Sequence, residues 1–530
     1  MKNLLKKTMV ACLCACTCLS LVGCGGPGGN DSIIQDGKTV NIKVLKAGYG
    51  TTWLNKVAEK FEAAYADEGY QINILTPDTS LKGPAALAEM RLGTKSGVDL
   101  YIVGAVDVDS VIDPEYGICA EELTDMYDQK AIKFDGTEEA ETVAQKLDDA
   151  YDDNVSSGGK YYGFLWANSP CGLVVNTKAL ASYNLEIPNT TDELFACYDT
   201  IYAQASSTGV YPTTWGGNNA YGYALYSLYA NLAQILGKTG YQQFNSLQAG
   251  ETIAESDWKE GYKLYENDDV YTALDILMKQ YDTDMSTAGS VTDTHDRAHY
   301  NLITGKAVFA VDGEFFFNEV KANYKNYMND VTFVNIPVNS AVGDKLGIED
   351  EVLSCAIEQV DAQKSITDII SAVQTAKGVT LTEAQVNTII EARGAYYEKA
   401  DHSAYIVKGS PVVDVAKLFL RMLASDEAAS IFNETAYASS PYAISNTVDS
   451  EYAFVKGVAS VVNNQYAWAV ESGYTGLRKK ANIDMYSPYG VDIVLSMAST
   501  DKDINGLKTE IKNNVQNKWS DYMKAAGYTV

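Results

Sequence analysis

The sequence predicts an α/β protein with open sheets flanked by helices, and three observations carry the prediction. Short β-branched runs alternate with amphipathic helical runs from Val40 to Val103. The alternation restarts near Lys160. The 530 residues, 46% of them hydrophobic, are enough for two compact domains with real cores.

The elements follow from period and composition. Val40 to Leu45 (VNIKVL) alternates and is β-branched, so it reads as a strand. Trp53 to Tyr65 carries apolar residues at helical spacing, Tyr70 to Leu75 is a second strand, Ala85 to Gly93 a helix, and Val98 to Val103 a third strand. A β-α-β-α-β order implies a sheet with crossovers, whose ligands bind outside the carboxyl ends of the strands. The Gly48 to Thr52 and Gly104 to Asp109 turns are therefore expected at a cleft. In the second half, Tyr161 to Leu165, Gly172 to Asn176, Lys306 to Val311 and Val331 to Pro337 read as strands. Thr191 to Ala205, with Thr191 or Asp192 as cap, and Leu225 to Leu236 read as helices. Asp361 to Lys399 reads as helical and poor in strand signals, and Thr500 to Gly527 closes the chain as helix. No internal repeat is evident.

The first residues have a different character. Lys2, Lys6 and Lys7 precede an apolar run from Met9, the layout of a secretory signal peptide. Cysteines, Thr17 and Ser20 dilute that run below the roughly 20 apolar residues that span a bilayer. Leu21-Val22-Gly23-Cys24 resembles the lipobox of bacterial lipoproteins, which implies that residues 1–23 are removed and Cys24 is lipidated. Two or more acyl chains hold a protein stably where one does not. Residues 24–37 (CGGPGGNDSIIQDG) then read as a flexible tether. The expected location is extracellular, on the outer face of the cell membrane.

Net charge is −28, from 41 basic and 69 acidic residues, which disfavours nucleic acid and other polyanions as partners. Beyond the leader and Cys24, Cys119, Cys171, Cys197 and Cys355 show no CxxC spacing. They pair in one of three ways or stay as buried thiols.

An ordered set of stretches carries a family likeness. It comprises Val40 to Phe61, Gly97-Val98-Asp99-Leu100-Tyr101, Gly159 to Trp166, Leu173 to Lys178, Ile187 to Leu194, Gly305 to Phe309 with Gly313, and Ala416 to Phe432 with Pro441. In this order, behind a lipobox, the chain resembles the extracellular solute-binding proteins (family 1, maltose-binding type) of carbohydrate ABC importers. The resemblance implies a two-lobed periplasmic-binding-protein fold (type II), each lobe an open α/β sheet flanked by helices, joined by a hinge. It places 38–165 with 339–445 in an N-terminal lobe and 166–338 with 446–530 in a C-terminal lobe. A helical insertion at 348–409 departs from the pattern. It further implies a monomer that binds sugar between closing lobes and delivers it to permease subunits, with no cofactor, no metal and no catalysis.

Sugar rings offer apolar C–H faces and a belt of hydroxyls, so a site for them needs flat aromatic platforms beside planar hydrogen-bonding groups. Such residues cluster at Tyr49 and Trp53, at Trp166 with Asn168, at Trp215 and Asn218 with Tyr221, at Glu314 with Phe315, and at Tyr466 with Trp468. The family often puts a ring just after the position of Gly313, and Phe315 is the nearest here. Phe316 and Phe317 read as core. Asp99 and Asp107 are candidate acceptors of sugar hydroxyls. The Trp215-Gly-Gly-Asn-Asn stretch reads as an open loop.

Other chemistry finds little support. His295 and His299 stand one helical turn apart, but Asp296 replaces the glutamate of the metalloprotease pattern and no third ligand follows. Two solvent-facing histidines are the ordinary reading. Neither a G-x-S-x-G elbow nor a Walker A loop is present. Two alternatives stay open: a receptor for peptides or cationic solutes such as polyamines, with a carboxylate-lined pocket, and an exported glycosidase.

Overall fold

The computed structural model describes residues 32–529 apart from 149–150, 219–220, 249–257, 443–449, 471–472, 474 and 487–503. The signal-peptide and Cys24 expectations lie outside the described residues.

Eleven strands build two mixed sheets. They are β1 (Thr39–Val44), β2 (Gln71–Ile74), β3 (Leu100–Ile102), β4 (Phe164–Ala167), β5 (Pro170–Asn176), β6 (Tyr211–Thr213), β7 (Ala307–Gly313), β8 (Val331–Val334), β9 (Ala395–Glu398), β10 (His402–Ile406) and β11 (Trp468–Val470). The first sheet runs β2-β1-β3-β10-β4. The second runs β6-β7-β5-β9-β11, with β8 also paired to β5. β1 pairs in parallel with both β2 and β3, which the helical connections between them allow, while β10 is antiparallel to β3 and β4.

The helices that position the site follow from spacing and caps. Helix α1 (Thr52–Ala64) buries Trp53, Leu54, Val57, Ala58 and Phe61, the stripe a 3.6-residue period brings to one face. Helix α2 (Thr191–Thr208) starts one residue earlier than its expected caps, because Thr190 Oγ accepts from Glu193 N at 3.2 Å; it ends at Gly209, φ 71°. Helix α3 (Tyr221–Ser246) extends well beyond Leu236, with a break at Gly237. The insertion supplies α4 (Asp350–Asp361), α5 (Ile366–Lys377) and α6 (Glu383–Gly394). Ser365 caps α5, and a reciprocal Thr382–Gln385 capping box starts α6. Their apolar faces close on one another and on Val338 and Val342 as a separate small core. Helix α7 (Asp426–Ala436) packs on α1, and α8 (Ala453–Val462) lies on β8.

Three expectations need correction. The segment expected to be helical through Lys399 ends as strand β9, all four of its residues buried. Tyr397 lies 5.2 Å from the ring of Tyr226 and 5.4 Å from that of Tyr229 on α3, and this packing holds a β-prone Tyr-Tyr pair extended. β9 belongs to the second sheet, so the chain returns to the first sheet at Lys399–Asp401, not near residue 339. Finally, the tether expected to run to Gly37 is pinned from Ser32. Asn73 Nδ2 donates to Ser32 O at 2.8 Å, and Ile34 exchanges two hydrogen bonds with the Asn41 side chain. The four described cysteines are free and buried.

Candidate functional site

Two strands run directly from one sheet into the other. β4 passes into β5 through Asn168 and Ser169, and β9 passes into β10 through Lys399, Ala400 and Asp401. The crossings are tied together, since Lys399 N donates to Ser169 O at 3.1 Å and Ala400 N to Asn168 O at 2.9 Å. Ser169 (φ 57°) and Ala400 (φ 37°) hold left-handed backbone, uncommon for residues with a Cβ. Both chain bends are therefore held by the bonds around them. Ser439, just after α7, adds a third strand of chain: its Oγ lies 3.1 Å from Asn168 Oδ1.

Two carboxyl groups sit inside this junction. Glu314, fully buried after β7, accepts from Ser439 N at 2.8 Å and Ser439 Oγ at 2.9 Å, and its Oε1 lies 3.1 Å from the Tyr49 hydroxyl. Glu398, at the end of β9, accepts from Asn168 Nδ2 at 2.8 Å and from the Tyr151 hydroxyl. Burial pushes Glu314 up to about 8 and Glu398 up to about 7, against the lowering effect of these hydrogen bonds. Beside them, burial would raise Asp401, but the imidazole of His402, 2.8 Å away, and Lys399 outweigh it and hold that carboxyl at about 2.

Aromatic rings enclose the same place. Trp53 of α1 stacks on Trp166 of β4 with centroids 5.5 Å apart and planes at 14°. Phe432 of α7 meets both edge-on. Tyr49, from the glycine-flanked turn after β1, packs against Trp166 and, across the junction, against Phe315 behind β7. Other contacts join the two sides: Asn318 Nδ2 donates to Gly48 O, and Lys479 Nζ lies 2.7 Å from Asp109 Oδ2.

Of the residues singled out from the sequence, Tyr49, Trp53, Trp166, Asn168, Glu314 and Phe315 thus come together. Asp107 is not among them: it caps a short helix and faces Lys479 at 3.7 Å. Asp99 is elsewhere, binding Asn41 and Ser410 inside the first sheet. Trp215 is not in an open loop: it is buried, its indole N–H donates to Ser286 Oγ at 2.8 Å, and its ring meets Tyr281. Asn218 is exposed on that turn, and the side chain of Tyr221 lies outside the described residues. Trp468 and Tyr466 pack on the insertion, donating to Glu391 O and Lys364 O. His299 is not solvent-facing; it is buried 2.7 Å from Asp312 Oδ2, and that carboxylate raises its pKa although burial opposes this. Phe316 and Phe317 are fully buried core. Tyr151, Ser169, Glu398, His402 and Ser439 were missed. A compact polar cluster, Glu398-Lys-Ala-Asp-His402 between two apolar runs, was the one available signal.

Among the described residues there is no group of three His, Cys, Asp or Glu side chains able to hold a metal ion. No described helix is long and apolar enough to cross a membrane.

No protein-family model matches the chain, and no curated protein matches it. Solved structures do. A chitin oligosaccharide binding protein is similar with a TM-score of 0.58 at 13% identity, covering 92% of this chain and 100% of that one. A Streptococcus pneumoniae solute-binding protein in complex with the blood group A-trisaccharide is similar at 0.55 and 13% identity, covering 90% and 100%. The solute-binding protein RafE, solved in complex with raffinose, gives 0.53 and 11% identity over 90% and 99%. At such identities the likeness is one of fold: the chain has the two-lobed fold of these solute-binding proteins.

Proposed function

From this two-lobed fold we propose that the protein is a receptor, not an enzyme, that binds a carbohydrate, of oligosaccharide size, between its two lobes. The observation that carries the reading is the junction itself. Rings from both sides, Trp53 and Trp166 on one and Phe315 on the other, lie around hydroxyl, amide and carboxyl groups where the described strands cross between sheets. Apolar platforms beside convergent polar groups suit a sugar's two kinds of surface. Ligand touching both lobes binds the closed form better, and that difference in affinity drives closure. The lobes follow the sheets, changing over at Asn168–Ser169, at Lys399–Asp401 and again between α7 and α8. The leader and Cys24 support a lipid-anchored, extracellular protein, and the two-lobed solute-binding fold supports a monomer that hands its cargo to the permease subunits of an ABC importer.

A second reading, a cationic solute, is favoured by Glu314 and Glu398, whose hydrogen bonds go to hydroxyls and amides and not to a cation. A thermal-shift panel on residues 25–530 separates the two. Ligand at about 100 times its dissociation constant adds 2.7 kcal/mol. Stabilisation by one glycan series is the expected result. Stabilisation by polyamines or peptides alone would overturn the carbohydrate reading, and conversion of a labelled glycan to product would make the protein an enzyme.

A further inference from the structure

Tyr49 is an unusual side chain for a turn. It is fully buried, yet it belongs to a loop, and its contacts come from both sides of the junction. Four rings surround it: Phe432 at 5.5 Å, Trp166 at 5.6 Å, His402 at 5.7 Å and Phe315 at 6.2 Å between centroids. Its hydroxyl lies 2.7 Å from Ser169 Oγ and 3.1 Å from Glu314 Oε1. These contacts enclose a six-membered ring between aromatic walls, one of them the imidazole of His402, and offer its rim hydroxyl a serine and a carboxyl group. A pyranose ring needs the same set.

We propose that the Tyr49 side chain fills the seat that one sugar ring takes, so that Tyr49 must leave before the ligand enters. The proposal rests on the carbohydrate reading above and names the subsite within it. Its walls are Phe315, His402, Trp166 and Phe432, and its polar groups are Ser169 and Glu314. A separate cavity of about 20 Å³ lies behind two of these walls, lined by Trp53, Trp166, Phe432 and Tyr442 and not by Tyr49; it has room for a water molecule but not for a sugar. The loop is built to move. Gly48 and Gly50 flank the tyrosine, and Gly50 already sits at φ 64°. Glycine absorbs the backbone rotation that would swing the ring outward.

A plug and a platform give opposite results on truncation. If Tyr49 fills the seat, the competent fraction of the protein is small, and apparent affinity is reduced by that fraction. Maltotriose, raffinose and chitotriose, titrated with stopped-flow association against wild type, Tyr49→Ala and Tyr49→Phe, decide the matter. For the trisaccharide that binds wild type, Tyr49→Ala should bind about tenfold faster and more tightly, with Tyr49→Phe in between, because Phe keeps the ring but loses the hydroxyl contacts. Weaker binding by Tyr49→Ala, or an unchanged association rate, would make Tyr49 a ligand contact or plain core and overturn the seat while leaving the carbohydrate reading intact. Should Tyr49→Ala fail to fold, Tyr49→Phe alone decides by the same sign. Binding of none of the three sugars by wild type, with polyamines binding instead, would remove the carbohydrate reading and the seat with it.

Discussion

Glu314 and Glu398 are carboxyl groups whose burial sets their charge. Both rise above the ordinary carboxyl range when the protein folds, to about 8 and about 7, so the folded form holds protons that the unfolded chain releases. Their contribution to stability is complete below the ordinary carboxyl pKa of about 4.5 and is lost as pH rises through about 7 to 8. The melting temperature should therefore fall between about pH 5.5 and pH 8.5. Glu314→Gln, which mimics the protonated acid, should flatten part of that fall, and an equally steep fall in the variant would count against the raised pKa. His299, whose pKa is also raised, contributes in the same direction, so the difference between the two proteins is the quantity to read. At this scale the sequence was partly legible. Aromatic residues beside Asn, Glu and Gly pointed to Tyr49, Trp166, Asn168 and Glu314, because few other roles need those types together. Trp215 misled, since glycines and asparagines suggest an exposed turn and say nothing of the Ser286 and Tyr281 side chains that cover the indole. Ser169 and Ser439 were illegible: a lone serine acquires meaning only from what it meets.

Helix α8 and strand β8 show how closely elements pack. A Cβ placed at Gly457 of α8 would lie 2.1 Å from Phe333 O of β8, a backbone atom that cannot give way. Gly457→Ala should destabilise the protein by about 1–3 kcal/mol in a denaturation experiment, by forcing helix and strand apart. A neutral result would mean that this interface is looser than described. Elements with strong periods or caps were visible beforehand: α1 by its apolar stripe, α2 by its threonines, β1 to β3 by alternation and β-branching. Strand β9 was not, because Ala395 to Glu398 follows a helical run without a break and is held extended by tyrosines on α3, distant in sequence.

For the molecule as a whole, architecture was more legible than boundaries. Two α/β halves followed from an alternation that stops and restarts, whereas the return crossing at Lys399–Asp401 depends on which sheet captures β9, a choice made by tertiary contacts. The halves are joined by the buried contacts of Tyr49 with Phe315 and Glu314, by Asn318 with Gly48, and by the half-exposed Lys479–Asp109 pair, which adds little. On the proposed reading, ligand held between the lobes drives their closure. Spin labels at exposed Leu92 on the first lobe and exposed Tyr202 on the second, introduced as Leu92→Cys and Tyr202→Cys, report the lobe separation directly while the native thiols stay buried. Saturating glycan should shift the distance distribution to a single short population. An identical distribution with and without bound glycan would contradict a receptor that works by closing on a sugar.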